Sequence, residues 1–302
     1  MPSSVGVGPE VWRVDDLHVE VHPGTGLPLL LVHGFLSSRA QWAPNLEALA
    51  QVSRPVVIEL LGHGRSGAPE DPAAYAVERY WERFEAIRER LGVERWRLCG
   101  QSFGAGLTLG YALAHPQRVE AQVFTNSVSG LAPLPSPGAE NEREARAAAM
   151  AAGGHAALAA LPYYPRPSRR LPPSLWEPLV ADGRLLSATG VANAIRATTP
   201  RLSVCSHLGD IEAPTLLVCG AREEAFKPLR DLAVAELRGI EVVDVPDGGH
   251  SVNLDSSEAF NSAVTAFLSR NSVVAPPRSA PQVEIVQASL SRAPDRQAKS
   301  AP

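Results

Sequence analysis

Six short runs with strand character recur along this chain, at residues 28–32, 55–60, 95–99, 119–125, 214–219 and 240–245, the first of them fully apolar. Most are followed by a stretch with helical periodicity, and that rhythm restricts the possible folds more than any other feature. Runs such as PLLLV and PTLLVC lack the apolar–polar alternation of a half-exposed strand. They have the character of strands buried on both faces. The intervening helical patterns cover residues 40–50, 77–91, 103–114, 228–237 and 256–269. Strands alternating with helices imply an α/β fold, with a mostly parallel sheet covered by helices on both sides. Ahead of the first run, residues 11–22 alternate around Asp15-Asp16 and predict a starting hairpin.

The rhythm breaks between residues 130 and 208. That stretch contains an Ala-rich helical segment at 140–161, a Pro/Arg loop at 162–173 and further helical material, with no buried-strand pattern. It predicts a helical lid inserted into a core formed by residues 1–129 and 209–271. From residue 272 to 302 the chain is rich in Pro, Ser and Ala and lacks a sustained apolar period. A disordered tail is expected there, with a short amphipathic segment at 283–290.

The remaining composition excludes more than it specifies. Of the 302 residues, 45% are hydrophobic and the net charge is −4, so nothing favours a nucleic-acid partner. Cys99, Cys205 and Cys219 form neither a CxxC pair nor a disulfide framework. No metal or cofactor is implied. No apolar stretch approaches the roughly 18 residues of a membrane span, and the first residues lack the pattern of a secretory signal. A cytoplasmic protein acting on a small molecule is expected, and its oligomeric state is left open.

The chemistry concentrates at Gly100-Gln101-Ser102-Phe103-Gly104, between a predicted strand and a predicted helix. A serine on so tight a turn has its hydroxyl pushed out of the sheet, and flanking glycines avoid a clash with the neighbouring strand and helix. The helix start adds amide donors and positive potential near the reacting atom. Ser102 is therefore the candidate nucleophile. A second cluster, Leu31-Val32-His33-Gly34-Phe35, follows the first buried strand, and a third, Asp247-Gly248-Gly249-His250-Ser251, follows the last.

In these motifs and their order, the chain from about residue 11 to 270 resembles the α/β-hydrolase superfamily. The resemblance implies a catalytic base at His250. It implies an oxyanion hole built from the backbone N–H groups of Phe35 and Phe103, with His33 structural. It also implies an acid in the loop after the PTLLVC strand, where members carry G-x-x-D. Here that loop reads Gly220-Ala221-Arg222-Glu223-Glu224, so the matching residue is Glu223, with Glu224 its nearest competitor. The other acid position used in the superfamily, after the preceding strand, holds Thr125-Asn126-Ser127 and no carboxylate. Relatives read D-x-P-G-x-G-x-S where this chain has Glu59-Leu60-Leu61-Gly62-His63-Gly64-Arg65-Ser66; Glu59 and Leu61 depart from that pattern, and His63 is taken as non-catalytic.

The resemblance implies a serine hydrolase of carboxylesterase type, forming an acyl-enzyme on an ester or related carbonyl. Ser102 argues against the Asp-nucleophile chemistry of dehalogenases and epoxide hydrolases. Gly106 occupies the place where the menaquinone-pathway synthase branch usually has Arg. Carbon–carbon bond hydrolysis of dienoates stays open, and so does transfer to an alcohol or peroxide; a binding protein on the same fold is a further alternative. A dienoate would require a cation in the pocket, for which Arg196 and Arg222 are the candidates. Tyr163, Tyr164 and Trp176 are the large groups of the lid. The charged cluster at 140–146 reads as a solvated helix face; Arg166, Arg169 and Arg170, in a Pro-rich loop, read as a solvated loop, with an anionic ligand as the alternative.

Overall fold

A computed structural model describes residues 8–134 and 138–272; of the tail expected at 272–302, all but Ser272 lies outside the described residues. Eight strands form one sheet: β1 (Glu10–Val14), β2 (Leu17–Val21), β3 (Pro28–Val32), β4 (Arg54–Glu59), β5 (Trp96–Gly100), β6 (Val119–Thr125), β7 (Thr215–Gly220) and β8 (Glu241–Val245). Their spatial order is β1-β2-β4-β3-β5-β6-β7-β8. β1 and β2 form the expected antiparallel hairpin, turning at Asp15, which takes a φ of 49°. Aspartate tolerates that left-handed conformation in a tight hairpin. From β4 to β8 every pairing is parallel.

Helices fill the connections: α1 (Leu46–Ala50), α2 (Val77–Arg90), α3 (Phe103–Ala114), α4 (Val128–Leu131), α5 (Ala139–Ala160), α6 (Pro173–Gly183), α7 (Ala188–Asn193), α8 (Lys227–Glu236), α9 (Val252–Asp255) and α10 (Ser257–Arg270). The helix expected over residues 40–50 is shorter than its pattern. A 3-10 turn at Arg39–Trp42 precedes α1, with Pro44 and Asn45 between them.

The strand pattern explains why the sheet is covered twice. Along β3, Leu30 and Val32 pack toward Tyr80 and Phe84 of α2 and Tyr111 of α3. Leu29 and Leu31 pack the other way, toward Trp42, Leu49 of α1, and Phe260 and Phe267 of α10. Both alternating sets are apolar, so neither face can meet water, and each requires its own helical layer. Between β6 and β7, α5 and α7 share a separate apolar cluster that includes Ala147, Met150, Val191 and Ile195. Gly154 breaks α5 with a φ of 58°, a kink that glycine accommodates without a Cβ penalty.

The order of the central strands positions the functional site. The chain leaves β3 for β4 on one side, then returns to β5 on β3's other side. At such a reversal the loops following the two strands part and leave a crevice at the carboxyl edge. The loops after β3 and β5 carry the HGF and GQSFG motifs.

Candidate active site

Ser102 occupies the turn between β5 and α3 with φ 52° and ψ −114°. Such a backbone is strained for a residue with a Cβ and persists only when its surroundings hold it. The two motif glycines permit the turn sterically. A Cβ on Gly104 would lie 2.2 Å from the Val32 carbonyl oxygen, and one on Gly100 would lie 2.5 Å from the Ala105 Cα. Ser127 adds a brace that the sequence reading missed: its hydroxyl donates to the Ser102 carbonyl at 2.6 Å and accepts from the Gly130 N–H at 3.1 Å.

His250 lies in the loop between β8 and α9. Its Nδ1 is 2.9 and 3.0 Å from the two carboxylate oxygens of Glu223, in the loop after β7. Backbone bonds hold the two loops together, from Ala221 N–H to the Val245 carbonyl at 3.0 Å and from Arg222 N–H to the Gly248 carbonyl at 2.9 Å. The Gln101 side-chain amide donates to the His250 carbonyl at 3.2 Å, linking this pair of loops to the serine turn. Glu224 points elsewhere and pairs with Lys227 at the surface.

Asn126 is a support that its sequence position does not reveal. It follows β6, and its Nδ2 donates to Glu223 Oε2 at 2.7 Å and to the Gly220 carbonyl at 3.0 Å. Its Oδ1 accepts from the Gly220 N–H at 2.8 Å. Burial alone would raise the Glu223 pKa. The bonds from His250 and Asn126, together with the charge of His250, outweigh it and hold the carboxyl below its usual range. Glu223 is therefore ionised at neutral pH.

The loop after β3 is organised by two buried histidines. His33 Nε2 accepts from the Leu60 N–H at 3.0 Å while its Nδ1 faces the Gly34 carbonyl at 2.8 Å. His63 Nε2 accepts from the Leu36 N–H at 3.2 Å while its Nδ1 faces the Leu61 carbonyl at 2.9 Å. Each ring uses one nitrogen as acceptor and the other as donor, which only a neutral imidazole can do. Burial pushes their pKa values down, to about 3 for His33 and about 4 for His63. Both rings are thus structural supports for the turn that carries Phe35. The rings of Phe35 and Phe103 stack, with centroids 5.2 Å apart. Phe103 opens α3, so its N–H has no partner within the helix.

Ser102, His250, Glu223, Phe35 and Phe103 all line one cavity of about 840 Å³. Among the described residues the Ser102 hydroxyl makes no hydrogen bond, so serine and imidazole share a cavity wall without being joined. Trp176 and Tyr163 also line the cavity. Tyr164 does not; it packs in the α5–α7 cluster and bonds to His155. The two cations considered for the pocket are engaged elsewhere. Arg196 grips Glu144 in a forked ion pair, and Arg222 lies 3.5 Å from Asp255. Arg143, Arg146 and Arg166 line the cavity instead. The segment at 140–146 is therefore only partly a solvated face.

The departure at Glu59 also has a structural account. Its carboxylate is buried, accepts from the Arg65 N–H at 2.6 Å and lies 3.3 Å from Arg65 Nη1. Arg65 in turn bonds the buried Asp182 of α6, and Ser38 donates to the same carboxylate at 2.8 Å. This chain of charges ties α6 to the loops after β3 and β4. Among the described residues no His, Cys, Asp or Glu cluster could hold a metal ion, and no helix is long and apolar enough to cross a membrane.

Comparison with known proteins agrees with this architecture. The family model described as "alpha/beta hydrolase fold" matches residues 28–257. A Bacillus subtilis protein named "Putative 2-succinyl-6-hydroxy-2,4-cyclohexadiene-1-carboxylate synthase" is 28% identical over 257 residues, covering 82% of this chain and 92% of that protein. A Variovorax paradoxus protein named "Putative carbamate hydrolase RutD" is 31% identical over 271 residues, covering 84% of this chain and 96% of that protein. Among solved structures, MenH from S. aureus superimposes with a TM-score of 0.72 at 19% identity, covering 84% of this chain and 98% of that one. With the model match spanning most of its length, the chain belongs to the α/β-hydrolase fold family.

Proposed function

We propose that the protein is a serine hydrolase that cleaves a small-molecule ester, or a related carbonyl compound, through an acyl-enzyme. One observation carries this reading. An imidazole oriented by an ionised carboxylate, and a serine on a strained strand-to-helix turn, open onto the same cavity.

In this mechanism Ser102 Oγ attacks the substrate carbonyl while His250 Nε2 takes its proton. Glu223 holds the opposite ring nitrogen, keeps the tautomer that leaves Nε2 free, and stabilises the imidazolium that forms. The developing oxyanion is held by the N–H groups of Phe35 and Phe103. Collapse expels the alcohol, which receives the proton from His250. Water then attacks the acyl-enzyme by the same route in reverse. The Oγ–Nε2 hydrogen bond forms as substrate settles, since such bonds are often long in the unliganded state. The helices between β6 and β7 act as a lid over the carbonyl site and choose the substrate.

The names of two relatives are consistent with this chemistry, "Putative carbamate hydrolase RutD" and, 24% identical over 242 residues, "Carboxylesterase YbfK" from Bacillus subtilis. Rapid mixing with an activated 4-nitrophenyl ester is expected to release about one equivalent of nitrophenol per chain in a fast phase, when deacylation is the slower step. Added methanol should then divert part of the acyl group to a methyl ester. A product mixture that excludes the free acid would identify a transferase rather than a hydrolase.

Asn126 serves as a positioning residue for the acid. Asn126→Ala removes a hydrogen bond to an ionised group and leaves the Gly220 N–H and carbonyl without their side-chain partner. It is expected to lower kcat/KM for an ester by roughly 10- to 100-fold, since such bonds contribute about 1.5–3 kcal/mol. Steady-state kinetics at pH 7 and 8 measure this; a change below twofold would remove Asn126 from the account.

A further inference from the structure

The face of α5 that meets the cavity carries Ala139, Glu142, Arg143 and Arg146. Their spacing of three, four and seven residues puts them on one side of the helix. Neither Arg143 nor Arg146 makes a hydrogen bond or ion pair among the described residues. Their neighbours differ in this respect, because Glu144 is held by Arg196 and Arg166 donates to the Ala159 carbonyl at 2.6 Å. Apart from the Glu223–His250 pair, the charged residues lining the cavity are therefore Arg143, Arg146, Arg166 and one carboxylate, Glu142. Glu223 is already engaged by His250 and Asn126. Arg143 is half-buried, and its planar fork matches the two oxygens of a carboxylate.

We propose that Arg143 and Arg146 form a carboxylate-binding subsite, so that the preferred substrate is an ester with a second, ionised carboxylate remote from the scissile carbonyl. This rests on the serine-hydrolase reading for its reaction, but the subsite can be tested apart from it. The anionic end of the substrate meets α5 and its reacting carbonyl lies at Ser102, in a cavity whose apolar lining includes Trp176 and Leu171. Water and salt reach the subsite because Arg146 is exposed, so the preference weakens as ionic strength rises.

The test uses two esters matched in length, 4-nitrophenyl hexanoate and the mono-4-nitrophenyl ester of adipic acid. The wild-type protein is expected to favour the adipate ester about tenfold in kcat/KM at low salt, the order of effect of one charge-assisted contact. In R143Q/R146Q that ratio falls to about one, mainly through a higher KM for the adipate ester. A wild-type ratio of one or less, or a variant that slows both esters equally, overturns the subsite.

If neither ester is cleaved, the serine-hydrolase reading fails while the subsite remains testable. Binding of monomethyl adipate to Ser102→Ala, followed by calorimetry, should then weaken about tenfold when R143Q/R146Q is added. Unchanged affinity, or no binding in either protein, would overturn the subsite independently of the chemistry.

Discussion

Ser102→Ala is expected to lower kcat/KM for 4-nitrophenyl hexanoate by about 10⁵- to 10⁶-fold and to leave the thermal unfolding midpoint within a few degrees of wild type. The size of the loss follows from the roles assigned. Without Oγ no acyl-enzyme can form, and only the oxyanion amides and the cavity are left to assist attack by water. Stability changes little because alanine keeps the Cβ and so meets the same backbone restriction at φ 52° that serine does. The contacts that hold the turn, Ser127 to the Ser102 carbonyl and Gly104 against the Val32 carbonyl, do not involve the hydroxyl. A matched pair of thermal melts with initial-rate assays checks both halves of the expectation. Retained activity would move the nucleophile elsewhere.

Glu223→Gln is expected to cost about 10³- to 10⁴-fold in kcat/KM, against less than about twofold for Glu224→Gln. The neighbouring carboxylates differ because only one touches the imidazole. Glu223 faces His250 Nδ1 with both oxygens and has Asn126 behind it, whereas Glu224 is a surface partner of Lys227. Glutamine at 223 keeps nearly the same shape but loses the negative charge that stabilises the imidazolium. Its NH₂ end can also face Nδ1 and favour the wrong tautomer. Initial rates for the two variants, measured side by side near neutral pH, give the ranking. The reverse order would place the acid one residue further along the loop.

The sheet was largely legible because its inner strands, β2 to β7, are buried on both faces; β8, expected to be buried like them, is an edge strand with only Val245 fully buried. Leu29 to Val32 must be apolar at every position when one set packs on α2 and α3 and the other on α1 and α10. That demand makes the runs short, dense and easy to recognise. The segment between residues 40 and 50 was less legible, since Pro44 interrupts a pattern that reads as one helix. At the site, the motifs carry the residues whose backbone must adopt unusual shapes, as at Ser102 and its glycines. The groups that support them leave weaker marks. Asn126 and Ser127 are ordinary polar residues after a strand, and only the parallel pairing of β6 with β7 and with β5 brings them to Glu223 and to the Ser102 carbonyl. Arg143 and Arg146 show the same limit from the other direction. A charged helix reads as solvated until a neighbouring surface turns one of its faces into a cavity wall.

The helical segment between β6 and β7 is tied to the loops of the sheet by polar contacts as well as apolar packing. Asp182 of α6 is buried and receives Ser38 and Arg65, and Arg65 reaches on to Glu59. Glutamate in place of the family's aspartate extends the carboxylate by one methylene, to where the Arg65 N–H and guanidinium meet it. Buried charges of this kind are stabilising only while each has its partner.

Ser102 is proposed to be a nucleophile activated by His250 and Glu223. The most direct test of that role is intact-mass and peptide analysis of the folded protein after exposure to a fluorophosphonate. One covalent adduct per chain is predicted, located on Ser102, with labelling slowed strongly in Glu223→Gln and absent from Ser102→Ala and from protein unfolded in urea. Folded wild-type protein that remains unlabelled, or that carries the adduct on a different residue, would contradict the account.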